Sequence, residues 1–164
     1  TSTDDGQVGD FSQYMDLVLV SYVRTDRNGG ETEDQISMHL NNDASTDNNY
    51  TVQRLLGTGA AVYGATYDSG TTGGQVAIVT AFGATANVFS AVVTHLFDVN
   101  SGKYKSWLSQ GASDTDGAGY AELYGNIWKS QAPITEIDLT PTHGSNWEAG
   151  SMFSLFGVLP RMVA

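Results

Sequence analysis

Residues 134–158 read ITEIDLTPTHGSNWEAGSMFSLFGV, and their pattern decides the fold class. Ile137 and Leu139 alternate with Glu136 and Asp138, the period-two mark of a strand with one buried face. Pro141 has no N–H to donate and stops the pairing. His143, Gly144, Ser145 and Asn146 then make a turn, with Trp147 near its top. In the second run, 152–158, Phe153 and Leu155 point one way and Met152, Ser154 and Phe156 the other. Gly157 inside it marks a bulge or a close backbone approach. The two runs predict a hairpin too apolar to stand alone, so the rest of the chain must supply a second sheet.

Upstream, residues 15–24 form the first strong strand. Val18, Val20 and Tyr22 share one face, and Leu17, Leu19 and Val23 the other. Apolar residues on both faces mean a central strand or one covered by a second subunit. Asn28-Gly29-Gly30 tolerates positive φ and signals a turn, so 15–24 and 35–40 are expected to pair as a long hairpin around an acidic loop. Further strands are expected at 50–56, 61–67, 76–82, 103–111 and 120–128, with polar, glycine-rich loops between them. Residues 86–99 carry Val88, Val92 and Leu96 at a helical spacing of four, but valine, threonine and phenylalanine dominate and favour a strand. About ten strands at this spacing predict a single all-β domain, residues 13–164, built as an antiparallel jelly-roll-like sandwich. Residues 1–12 read as an arm, and the apolar tail 159–164 as a docked segment.

The 164 residues contain no cysteine, which excludes disulfides and thiolate metal sites. A net charge of −11 argues against nucleic acid, whose phosphates demand lysine and arginine. No apolar run approaches the roughly 20 residues of a membrane helix, and the polar start TSTDDGQVGD is not a signal peptide. Residues 1–50 hold ten Asp and Glu against only Arg24 and Arg27.

Motifs for chemistry are absent. His39, His95 and His143 have no metal-pair spacing. Asp114-Thr115-Asp116-Gly117 starts like a calcium loop, but Ala112 and Leu123 stand where ligands are needed. Glu122, Glu136, Asp138 and Glu148 lie in no glycosidase-like pattern. The reading is therefore a non-enzyme with no metal and no cofactor. Trp107, Trp128 and Trp147 read first as core and subunit contacts. On an exposed sheet they would instead stack on sugars.

Two blocks carry a resemblance. One contains Ile134, Ile137, Leu139, Gly144, Asn146, Trp147 and then Gly150, Ser151, Phe153, Leu155, Phe156 and Gly157. The other contains Leu17, Leu19, Arg24, Asn42, Asp43, Asn49 and Tyr50. Together they resemble a family of bacteriophage virion structural proteins with a C-terminal G-S-x-F-x-L-[YF]-G signature. Phe156 replaces the commoner tyrosine, His39-Leu40 stands where Arg-Phe is frequent, and the turn 41–49 is one residue longer than usual. The resemblance implies a structural part of a phage particle, made in the bacterial cytoplasm and located in the virion. The first expectation is a decoration or cement protein on the head, bound to the major capsid protein or another virion protein. A tail or fibre domain recognising host glycans is the alternative. A closed homo-oligomer, a trimer by preference, is expected from the apolar surface, and neither nucleic acid nor membrane is a partner. Attachment is expected through the acidic front half, Asp4, Asp5, Asp10, Asp26, Glu31, Glu33 and Asp34, facing a basic patch.

Overall fold

The structure, a computed structural model, describes residues 7–45, 48–67 and 73–160. Its strands are β1 (Gln7–Val8), β2 (Asp16–Val23), β3 (Glu33–Leu40), β4 (Tyr50–Gly57), β5 (Val62–Tyr67), β6 (Gly74–Thr80), β7 (Ser90–Phe97), β8 (Lys105–Asp114), β9 (Gly119–Trp128), β10 (Glu136–Pro141) and β11 (Met152–Val158). They build two antiparallel sheets, a small one in the order β1-β10-β3-β6 and a large one in the order β11-β2-β7-β8-β9-β4-β5. The chain is an all-β, jelly-roll-like sandwich, as its alternation predicts.

The core lies between the sheets. Of the two apolar sides of β2, Leu17, Leu19 and Val23 turn inward, and β7 adds Val92 and Leu96. From the small sheet, Ile36, Met38 and Leu40 face them. Trp107, Tyr50 and Trp128 fill the middle. The Tyr50 ring meets Trp107 edge-on at 6.2 Å and lies parallel to Trp128 at 6.5 Å. Each such ring takes about 150–250 Å² of surface out of water on burial.

Both expected hairpins are absent. β2 pairs with β11 and β7, whereas β3 pairs with β10 and β6, so the acidic loop crosses from one sheet to the other. β10 and β11 part in the same way at the turn 143–146. Alternation states which face a residue occupies, not which strand lies beside it. Residues 7–12 are no loose arm either: β1 pairs with β10, and Phe11 is buried in the core. The strand within 86–99 begins only at Ser90, after a turn in which Asn87 has φ 64°.

The two motif blocks meet in space, and their residues hold the fold together. β11 runs along β2, with Met152 opposite Tyr22 and Phe156 opposite Val18. Gly150 supplies a left-handed φ of 99° that a side chain resists. Ser151 Oγ then accepts the Arg24 N–H at 3.1 Å and donates to the Arg24 carbonyl at 3.2 Å. Gly157 lies under the Tyr14 ring, where a Cβ would be only 2.2 Å from a ring carbon. Trp147 packs edge-on against Phe153 at 5.0 Å.

One sheet edge is closed by side chains. Among the described residues, β6 has β3 on one flank and no strand on the other. There Ser90 Oγ accepts the Thr80 N–H, and Glu122 Oε1 the Ile78 N–H at 2.7 Å. The Asn126 amide accepts from Gln75 N and donates to Gln75 O. Three polar residues of the large sheet thus replace a missing strand, as buried backbone donors require.

Candidate docking surface

The acidic residues singled out in the sequence do not form a free patch. Asp34 has no exposed side-chain surface and accepts the N–H groups of His143 and Gly144. Asp26 accepts those of Ser145 and Asn146, at 2.8 and 2.9 Å, and also the Asn146 side-chain amide. These bonds, Asn146 first, hold the Asp26 carboxyl below its usual range. Glu33 accepts a short hydrogen bond from the Tyr120 hydroxyl. Glu31 pairs with Arg27 at 3.7 Å, and Asp10 accepts the Ser12 N–H. Asp4 and Asp5 lie outside the described residues. Attachment through Asp34 is corrected, because a particle surface cannot reach it, and Asp26 is taken up by the turn.

The tryptophans are also accounted for. Trp107 and Trp128 are 1% and 3% exposed, so neither presents a ring to a sugar. Trp128 Nε1 donates to Asp43 Oδ2 at 2.7 Å, and Asn49 Nδ2 donates to the same oxygen. Burial pushes the Asp43 carboxyl up, but the bonds from Trp128, Ser45 and Asn49 outweigh it and leave it below the usual range. The Asn-rich loop is therefore a clasp across the end of the sandwich. Trp147 is half-buried against Phe153 and the core.

Each histidine sits against one aspartate: His39 on Asp138, His95 on Asp16 and His143 on Asp34. Among the described residues, no three His, Asp or Glu side chains converge as a metal site. Asp114 and Asp116 close their own turn, with Asp116 N bonded to Asp114 Oδ1 and Thr85 Oγ1 to Asp116 Oδ1. Two cations are spent internally. The Lys105 ammonium, in a residue 1% exposed, donates to the carbonyls of Ser101 and Lys103 at 2.6 and 2.7 Å, and burial lowers its pKa. Arg24 donates to the carbonyls of Phe82, Ala84, Thr85 and Val88, and so shapes the loop before β7.

Among the described residues, what remains open is the outer face of the large sheet. The registers set its outward residues in rows. Val20, Val93, Gln110, Leu123 and Leu55 cross five strands side by side. The next row is Val18, His95, Leu108, Gly125 and Gln53, and Tyr22, Ala91, Ala112, Ala121 and Gly57 form another. No outward strand position of this sheet holds Lys, Arg or Glu, and its acids, Asp16 and Asp114, stand at strand ends. Val93, Leu108 and Ile127, near the middle, are 46%, 45% and 44% exposed. Of the sixteen exposed large hydrophobics among the described residues, eleven are on this face. The outer face of the small sheet contrasts with it, bearing Glu33, Gln35, Ser37, His39, Asp138 and Thr140.

Seven strands at about 4.8 Å and eight residues at about 3.3 Å give this face roughly 29 by 26 Å, or about 750 Å². Thr51, Gln53, Ser106, Gln110 and Ser154 are interleaved with the apolar residues, so only part of that area is apolar; patches of about 300–600 Å² already mark interaction sites on monomers. A groove crosses it at Gly125, between Leu108, Ile127 and Phe97. Sequence reading reached only the β2 part of this face, as an apolar strand side that a second subunit would cover. The alternation of β8 and β9 sends Lys105, Glu122 and Asn126 inward and Leu108, Leu123 and Ile127 outward, against the usual rule. Comparison with family models, curated proteins and solved structures finds no match.

Proposed function

We propose that this chain is a structural component of a bacteriophage particle, a decoration or cement protein that binds the head surface by contact rather than chemistry. The observation that carries a docking role is the charge-poor, largely apolar outer face of the seven-stranded sheet in a chain of net charge −11. Water-exposed apolar area of this size is stabilised by being covered. The phage assignment rests on the two motif blocks. In this fold they supply the strand pair β2–β11, the Arg24 hub and the Asp43 clasp, all of which are scaffold features. The major capsid protein or another virion protein is the proposed neighbour, and the virion the proposed location.

The test is co-sedimentation of the purified protein with DNA-free heads of the phage that encodes it. Apolar contact is not screened by salt, so binding is expected to survive about 0.5 M NaCl, where the Debye length is only a few ångströms. Absence of binding, or complete release by salt, would overturn the proposal. The glycan reading has lost Trp107 and Trp128 to the core, and no other observation favours it.

A further inference from the structure

We infer that the open face of the large sheet is covered by the same face of a second copy of this chain, so that two sandwiches pack back to back across a two-fold axis. This rests on the reading of the face as a docking surface and names its occupant in free solution, the place that the head surface takes on the particle.

Charge selects the occupant. A partner of opposite or neutral charge would gain from meeting some of this chain's acids, because complementary charge speeds encounter and sets register. A second copy carries the same −11 and the same acidic flanks. Like charges placed opposite one another cost several kcal/mol, so two copies can meet only where charge has been withdrawn. The outer face meets that condition: its three middle rows hold no Asp, Glu, Lys or Arg, and their one histidine, His95, is paired with Asp16 at 3.1 Å and stacked on Phe97. The acids of the small sheet would lie on the far side of each copy, where water screens them.

Area supports the same occupant. About 750 Å² from each copy sums to roughly 1,500 Å², inside the usual range of a stable interface. Packed sheets stand about 10 Å apart with interdigitating side chains. The face has both partners for that: projecting Val93, Leu108 and Leu123, and low ground at Ala91, Ala112 and the Gly125 groove. A face that meets its own copy is isologous and closes at two subunits. The trimer expected from sequence does not use it in this way.

The test combines analytical ultracentrifugation with a variant that leaves the core alone. Gln110→Lys puts a cation in the middle of the face, at an exposed position that is already polar. Wild type is expected to sediment at twice the chain mass at about 10 μM, and the variant, with unchanged circular dichroism, at the single mass; the shift in dissociation constant should be at least about 100-fold, as buried charge at an interface centre commonly costs. A dimer indifferent to Gln110→Lys would place the contact elsewhere and overturn the inference. A monomeric wild type whose binding to DNA-free heads is abolished by Gln110→Lys would overturn the second copy while keeping the docking face. A monomeric wild type whose head binding is absent, or untouched by the variant, would overturn both.

Discussion

Asp26 and Asp34 divide between them the four consecutive N–H groups of the turn 143–146. Asp34 takes His143 and Gly144 at 3.1 and 2.9 Å, and Asp26 takes Ser145 and Asn146 at 2.8 and 2.9 Å. The turn is where the chain passes from the small sheet to the large one, so the two carboxylates fix that crossing. Their environments differ: Asp34 is fully buried, whereas the bonds of Asp26 are exposed. Gly144 is wedged between them, since a Cβ there would be 2.8 Å from Asp26 and 3.0 Å from Asp34.

Asp34→Ala should therefore cost about 3 kcal/mol, because the part-buried N–H groups of Gln35, His143 and Gly144 lose a charged acceptor held in a fully buried position. Asp26→Ala should cost no more than about 1 kcal/mol, since water takes over. Urea midpoints at pH 7 measure both. Equal losses would contradict the assignment of the buried anchor to Asp34.

Arg24 gives a second prediction. Its guanidinium serves four carbonyls of the 82–88 loop from two nitrogens, at 2.6 to 3.1 Å. An ammonium has three donors and no planar fork. Arg24→Lys should destabilise by about 2–3 kcal/mol and raise amide exchange within residues 82–90 well above that of β8. Unchanged exchange there would mean that the loop is held by other contacts.

How much of this was legible beforehand follows from what each signal reports. β2 was readable as a strand because Leu17, Leu19 and Val23 alternate with Val18, Val20 and Tyr22, but both sets are apolar and the pattern does not say which faces the core. The strand beside it was not: Met152 lies opposite Tyr22, 130 positions away in sequence, and no local pattern encodes that register. β9 misleads for a different reason. Glu122 and Asn126 point inward because β6 needs acceptors and a donor along its free edge, so polarity there marks an interior position. The rest of the docking face was hidden by the same inversion. Asp34 looked like a surface acid, because sequence cannot show that a turn more than a hundred residues away will donate to it.

Packing at Gly74 provides a third test. A Cβ at this position would lie 1.9 Å from Trp107 Cζ2 and 2.5 Å from Cη2, and Trp107 is fixed in the core. Gly74→Ala must displace the indole, at a cost of about 3 kcal/mol or more. Gly64, also in a strand, meets nothing nearer than a carbonyl oxygen at 3.9 Å, so Gly64→Ala should stay within about 0.5 kcal/mol of wild type. Thermal melts of the two variants, with Trp fluorescence as the second readout, separate crowding from a general intolerance of glycine replacement.

The last prediction concerns Glu122, which closes the β6 edge by accepting the Ile78 N–H. Burial pushes its carboxyl up to about 7, and the Ile78 bond only partly offsets this. In the unfolded chain the same carboxyl titrates near 4.5. Between these two values the folded protein holds a proton that the unfolded chain has released. Stability therefore declines as pH rises from about 4.5 to about 7 and levels off above it. The difference corresponds to a loss on the order of 3 kcal/mol across that window, set against whatever the other groups contribute. Glu122→Gln keeps an oxygen to accept from Ile78 and carries no charge. It should leave stability at pH 4 nearly unchanged and raise it at pH 8, so that the two proteins diverge progressively through the window. Denaturant unfolding of both at half-unit steps from pH 4 to pH 8 resolves the divergence. Parallel curves would mean that Glu122 is solvated, and that the β6 edge is satisfied by Ser90 and Asn126 without it.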